Sequence, residues 1–129
     1  TYPYTQALRA ELAAALATLQ CQDQSMVFRP RGVYGCTQGP RLETAAEISR
    51  MARDGCTIVG MTAMPEATLA REKGLEYAGL SVVVNAGAGI NDQAVDLDGI
   101  TAVMVEGMAR VRQALSIFLE RRDQAGGPV

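Results

Sequence analysis

The sequence has 129 residues, of which 48% are apolar and 20% charged, with a formal net charge of -2. That length and balance fit at most one globular unit, exclude a disordered chain, and lack the basic footprint that nucleic-acid binding requires. No apolar run approaches the roughly 18 residues of a membrane span and nothing at the start reads as a signal peptide, so a cytoplasmic protein with no membrane or nucleic-acid partner is expected.

Leu8, Leu12, Ala15, Leu16 and Leu19 share one helical face, and Thr5 is placed to cap it, giving a helix from about Thr5 to Gln20. Residues Gln22 to Pro30 are polar and read as a loop, followed by a short strand near Gly32 to Thr37. Gly39-Pro40 breaks regular structure. Thr44-Ala45-Ala46-Glu47 then has the capping-box signature and opens a helix to about Arg53, with Ile48 and Met51 inward and Asp54-Gly55 as its stop. Thr57 to Met61 is an apolar strand. Pro65 suits the first turn of the next helix and Gly74 its C-terminal cap, which leaves Thr62, Ala63 and Met64 as the turn between them.

Tyr77 to Val84 is apolar almost throughout, as in a parallel strand covered on both faces, and ends in the loop Asn85-Ala86-Gly87-Ala88-Gly89. Asp98 is placed to cap a long last helix, whose Ile100, Val103, Met104, Met108, Val111, Leu115, Phe118 and Leu119 keep helical spacing. Residues 123–129 read as a frayed tail. Alternating strands and helices predict an α/β fold with helices packed on a mostly buried mixed sheet. Three strands make a thin sheet with exposed edges, so residues 1–129 read as part of a single larger domain. Cys21, Cys36 and Cys56 lack metal-ligand spacing and read as reduced thiols, mostly core filler. Histidine is absent, which removes it as a base or ligand.

Ligands of open α/β sheets bind beyond the C-terminal strand ends, and three such ends carry chemistry here. After the first strand, Cys36 to Thr44 places a rigid loop, the apolar Leu42 and the carboxylate of Glu43 before a helix. Arg41 and Glu43 equally fit a loop whose charges are solvated, or paired with each other or with neighbours. After the second, Thr62 sits beside a helix N-terminus, where free N–H groups and the dipole favour phosphate. The alternative makes Thr62 a cap and Met61 core. After the third, the Asn85 amide can donate and accept towards a ligand, or serve only as a turn former.

Three segments in register, Thr37-Gln38-Gly39-Pro40-Arg41-Leu42-Glu43-Thr44, Val59-Gly60-Met61-Thr62-Ala63-Met64-Pro65-Glu66 and Val82-Val83-Val84-Asn85, resemble the purine nucleoside phosphorylase and methylthioadenosine phosphorylase family, most closely its bacterial methylthioinosine-cleaving branch. The match spans about two-thirds of the chain, in the C-terminal half of the phosphorylase fold. The resemblance implies a pentosyltransferase that cleaves purine from ribose with inorganic phosphate as co-substrate and no cofactor or metal. By position, Thr62 would bind phosphate, Met61 would pack on the ribose, Leu42 would flank the purine face, and Glu43 and Asn85 would read the purine edge. Asn85 is also the catalytic candidate, since it would face charge building on the leaving purine.

Hypoxanthine offers an N1–H donor to Glu43 and an O6 acceptor to the Asn85 amide, whereas adenine would set a lone pair against the carboxylate. This favours a 6-oxopurine. Inosine and guanosine enzymes of the family use a histidine at the ribose 5' end; here the matching region carries Val95, Leu97 and Ile100, which suit an apolar 5'-methylthio group. Phosphorolysis of methylthioinosine is therefore the leading expectation. Methylthioadenosine or inosine/guanosine cleavage is the first rival, and a non-catalytic nucleoside-binding module the second. The family's N-terminal half, with its glycine-rich phosphate loop and arginine–histidine pair, has no counterpart here. A missing N-terminal half, homotrimeric assembly and an inactive isolated chain are expected accordingly.

Overall fold

A computed structural model describes residues 2–91 and 96–126. In chain order the elements are α1 (Gln6–Gln22), β1 (Tyr34–Cys36), α2 (Ala45–Arg53), β2 (Ile58–Gly60), α3 (Glu66–Glu72) and α4 (Leu97–Gln124). β1 and β2 pair in parallel, with Tyr34 opposite Ile58, Gly35 opposite Val59 and Cys36 opposite Gly60. The ladder continues by one bond, from the Thr37 N–H to the Gly60 carbonyl at 2.9 Å. The crossover between the strands is α2, so the segment from Tyr34 to Gly60 is one β-α-β unit. The Gly39–Pro40 and Met64–Pro65 peptides are cis.

α2 forms where its sequence signals say it should. The Thr44 hydroxyl accepts from the Glu47 N–H, the Glu47 carboxylate accepts from the Thr44 N–H at 2.8 Å, and Ile48 and Met51 are buried. Both arms of the capping box are thus closed, and two donors at the helix start are satisfied. Past its other end, Gly55 takes φ +90°, a backbone that glycine adopts without a Cβ penalty.

α1 buries Leu12, Ala15, Leu16 and Leu19, as its periodicity predicts. Thr5 occupies the cap position, yet its hydroxyl accepts from the Tyr77 N–H at 3.1 Å instead of from its own helix. Together with the Thr5 N–H to Tyr77 carbonyl bond at 2.7 Å, this clips the chain at Tyr77 to the start of α1. The main apolar cluster joins Leu16, Leu19, Met26 and Ala114, flanked by Phe28, Leu80 and Ile117. Met26 lies in the stretch read as polar loop and is 6% exposed, because the chain after α1 folds back under it. Across the same seam Arg110 on α4 pairs with Asp23 at 2.9 Å.

Several expectations are corrected. Tyr77 to Val84 is not a strand among the described residues: from Ala78 onward its backbone has no ladder partner there. Its burial alternates, with Leu80, Val82 and Val84 half-covered and Ser81, Val83 and Asn85 exposed. One face rests on α4, where a Cβ on Gly107 would collide with Val82, and the other is open. A strand covered on both faces needs a neighbour on each, and this chain supplies one. Among the described residues the sheet is therefore two-stranded, parallel and half-buried rather than mixed and mostly buried.

Part of the apolar stripe of α4 is likewise uncovered: Met104, Met108, Leu115 and Leu119 are exposed, and Ala114 is its one buried residue among those described. Its cap is Asp96, whose carboxylate accepts from the Asp98 N–H at 3.1 Å, so Asp98 sits in the first turn. At its other end α4 runs on through Asp123 and Gln124, two residues into the stretch read as tail. Cys21 and Cys36 are exposed and Cys56 half-buried, so two of the three thiols are not core filler. No described helix is long and apolar enough to cross a membrane.

Candidate functional site

The C-terminal ends of β1 and β2 lie side by side, so the two loops leaving them meet. Gly39, at φ +69°, turns the first loop over the second; a Cβ there would stand 2.7 Å from the Met61 sulfur. Met61 is half-buried beneath that turn. A cleft of about 240 Å³ opens beside it, lined by Thr37, Gln38, Gly39, Arg41, Glu43 and Glu47. A larger hollow of about 420 Å³ lies between α2 and residues 88–90, but none of the candidate residues lines it.

Inside the cleft the charges are sorted. Arg41 makes a two-pronged bond to Glu47, at 2.9 and 2.7 Å. The Arg41 hydrogen bonds, with the Thr44 backbone and hydroxyl bonds next, lower the Glu47 pKa to about 2. The same pairing raises the pKa of Arg41. Glu43 is left out of that ion pair. Its carboxylate instead accepts a short hydrogen bond from the Thr37 hydroxyl, which also reaches the Gly60 carbonyl at 3.5 Å. Of the readings open for Arg41 and Glu43, each is paired, but with a different neighbour.

The Glu47 shift sets a pH dependence. A carboxylate whose folded pKa is lowered stabilises the fold above its unfolded pKa, and that contribution is lost as pH falls through the folded value. We expect the α2 cap to hold from neutral pH down through the ordinary carboxylate range and to fail towards pH 2. At neutral pH, Thr44→Ala should cost about 1 kcal/mol. Thermal unfolding across pH checks both, and an acid limb unchanged by Glu47→Gln would contradict the assignment.

Thr62 is exposed in the turn after β2. It does not cap α3, which starts at Glu66 with Pro65 in the cap position and no side-chain cap bond. The helix N-terminus invoked for a phosphate is therefore four residues further on. What stands at Thr62 is the Tyr34 hydroxyl, 3.5 Å from its own hydroxyl and 3.4 Å from its N–H. Tyr34 reaches it across Gly60, where a Cβ would collide with the ring hydroxyl. Neither Tyr34 nor Thr37 carries a sequence signal for these contacts, because both depend on the strand register.

Leu42 is 60% exposed at the cleft rim, without the cover a purine-flanking residue would share. Asn85 is exposed and donates from Nδ2 to the Ala86 carbonyl at 2.8 Å; no hydrogen bond joins it to Glu43 among the described residues. Its loop is held on α2 by close packing, with a Cβ on Gly87 coming 3.2 Å from Ile48 and one on Gly89 2.6 Å from Ala45. Thus Thr37, Gly39, Glu43 and Met61 come together, Thr62 adjoins them through Tyr34, and Leu42 and Asn85 stand apart. Leu97 is 72% exposed and Ile100 half-buried, while Val95 lies outside the described residues.

A family model described as the phosphorylase superfamily matches residues 1–120. The chain belongs to this superfamily. A probable S-methyl-5'-thioinosine phosphorylase of Pseudomonas syringae pathovar tomato is 53% identical over 119 residues, which are 92% of this chain and 46% of that protein. A 6-oxopurine nucleoside phosphorylase of Pyrococcus furiosus is 39% identical over 104 residues, or 81% of this chain and 37% of that one. Among solved structures, methylthioadenosine phosphorylase from Schistosoma mansoni in complex with adenine superimposes with a TM-score of 0.78 at 26% identity, covering 93% of this chain and 46% of the other. The chain thus has the nucleoside phosphorylase fold and spans between 37% and 46% of the length of these relatives.

Proposed function

We propose that this chain is the C-terminal half of a phosphorylase domain that cleaves a 6-oxopurine 5'-methylthionucleoside. S-methyl-5'-thioinosine and phosphate would give hypoxanthine and 5-methylthioribose 1-phosphate. A phosphate oxygen bonds to C1' as the C1'–N9 bond breaks; the bonding pair leaves on the purine, which takes up the proton that hydrogen phosphate gives up. The observation that carries the reading is the unpaired-by-arginine state of Glu43. With Arg41 occupied by Glu47, the Glu43 carboxylate keeps an acceptor oxygen with no partner among the described residues, available to a purine N1–H. Relatives named as methylthioinosine and 6-oxopurine phosphorylases support it.

In this reading Asn85 meets O6 and N7 as charge builds on the purine, Leu42 flanks the base, Met61 the ribose, and Thr62 binds phosphate. Phosphate is the co-substrate. The N-terminal half of the domain supplies the remaining phosphate ligands, and the complete protein works as a cytoplasmic homotrimer in purine salvage. Solved neighbours that hold adenine favour methylthioadenosine as the second reading. An ionised Glu43 facing adenine N1 weighs against it, since an unpaired buried polar group costs about 1–3 kcal/mol.

The deciding experiment is phosphate-dependent release of free base from a nucleoside panel by the full-length protein. Hypoxanthine from methylthioinosine should outpace adenine from methylthioadenosine and hypoxanthine from inosine; faster adenine release overturns the reading. At Thr62, removal of one hydrogen bond to an anion by Thr62→Ala should cost about 1.5–3 kcal/mol. That loss should appear in the phosphate constant and turnover more than in nucleoside binding. Wild-type values for both would assign the hydroxyl to Tyr34 alone.

A further inference from the structure

Resting on the reading of Glu43 as the acceptor of a purine N1–H, we propose that Thr37 is the positioning residue that sets the choice of base. Glu43 ends an exposed loop, and a carboxylate there has freedom to rotate or to swing onto a nearby cation. Two contacts remove that freedom. The Thr37 hydroxyl donates to one carboxylate oxygen of Glu43, and Arg41, the cation in the same cleft, is held by both oxygens of Glu47.

Thr37 can play this part because of where it stands. Its own N–H extends the parallel ladder to the Gly60 carbonyl, so its backbone is fixed by the sheet. Its hydroxyl has one proton to give. The Gly60 carbonyl lies at 3.5 Å, the outer limit of a hydrogen bond, so the carboxylate is the partner that takes it. A carboxylate accepts at both oxygens, and with one engaged by Thr37 the other is the one left to accept from a base. That oxygen suits a base with N–H at N1 and opposes one with a lone pair there. The discriminating element is then a donor–carboxylate pair anchored in the sheet, with Glu43 touching the base and Thr37 acting through it.

The test is a double-mutant cycle in the full-length protein, read as the ratio of kcat/KM for methylthioinosine to that for methylthioadenosine. Hydrogen bonds to charged groups are worth enough that Thr37→Val should lower this ratio about tenfold. Thr37→Ser, which restores the hydroxyl, should recover it, and Thr37→Ala should match valine, guarding against an effect of the added methyl. In a Glu43→Gln background, Thr37→Val should have no further effect on the ratio. A tenfold loss that persists in that background shows that Thr37 acts elsewhere and overturns the proposal. An unchanged ratio for Glu43→Gln alone overturns the reading of Glu43 and this proposal with it. If Glu43→Gln moves the ratio and Thr37→Val does not, only the role of Thr37 falls.

Discussion

The 129-residue chain on its own should release no purine above background from any nucleoside in the presence of phosphate. Rate in such a displacement comes largely from holding nucleophile and substrate in line, an effect equivalent to about 10⁵–10⁸ M of local reactant. Thr62 is the one candidate phosphate ligand here, and it is exposed in a turn with only the Tyr34 hydroxyl beside it. Leu42 is 60% exposed, and Glu43 lines a cleft of about 240 Å³. Supplying the remaining half of the domain in the same polypeptide should raise the rate by about 10⁵-fold or more. Hypoxanthine release coupled to an oxidase assay would read both proteins. Robust turnover by the short chain would mean that the phosphate site is complete within it and lies elsewhere.

Asn85→Asp in the full-length protein should shift preference from methylthioinosine towards methylthioadenosine, with a change in the kcat/KM ratio of about tenfold or more. An amide donates to O6 or N7 as negative charge gathers on the leaving base, so its contribution grows in the transition state and registers in turnover. An ionised aspartate would repel O6. When protonated it could donate to N7 while its other oxygen accepts from an N6 amino group. In the structure the Asn85 amide is turned onto the Ala86 carbonyl, and its loop is pinned to α2, the helix that Glu43 leads into. Binding therefore requires a side-chain rotation and no movement of the helix. Reversal should be partial, because Glu43 still opposes adenine N1. An unchanged ratio in a folded variant would return Asn85 to the role of a turn residue.

What could be read from the sequence was what neighbouring residues decide among themselves. The box at Thr44 and Glu47, the inward pair Ile48 and Met51, and the stripe from Leu12 to Leu19 each lie within one element, and each formed as expected. The resemblance motifs located both strand-end loops for the same reason. Cover was not legible. A run such as Tyr77 to Val84 states that two faces want burial without stating that this chain provides for both. α4 presents the same ambiguity along its apolar stripe. Cross-element contacts were also silent: Thr5 to Tyr77, Tyr34 to Thr62 and Thr37 to Glu43 span gaps fixed only by register and packing. At the start of α4 two aspartates competed for the cap, and Asp96 took it by standing one residue before the helix.

The uncovered stripe of α4 carries two sulfur atoms. Met104 is 46% exposed and Met108 41%, whereas Met26 and Met51, inside the described packing, are 6% and 7% exposed. Peroxide converts accessible thioethers to sulfoxides and spares enclosed ones. The two pairs therefore form an internal ruler within one polypeptide: Met26 and Met51 report whether the chain is folded, and Met104 and Met108 whether that flank of α4 has been closed over. Sulfoxide at the second pair would turn that stretch of the stripe from apolar to polar.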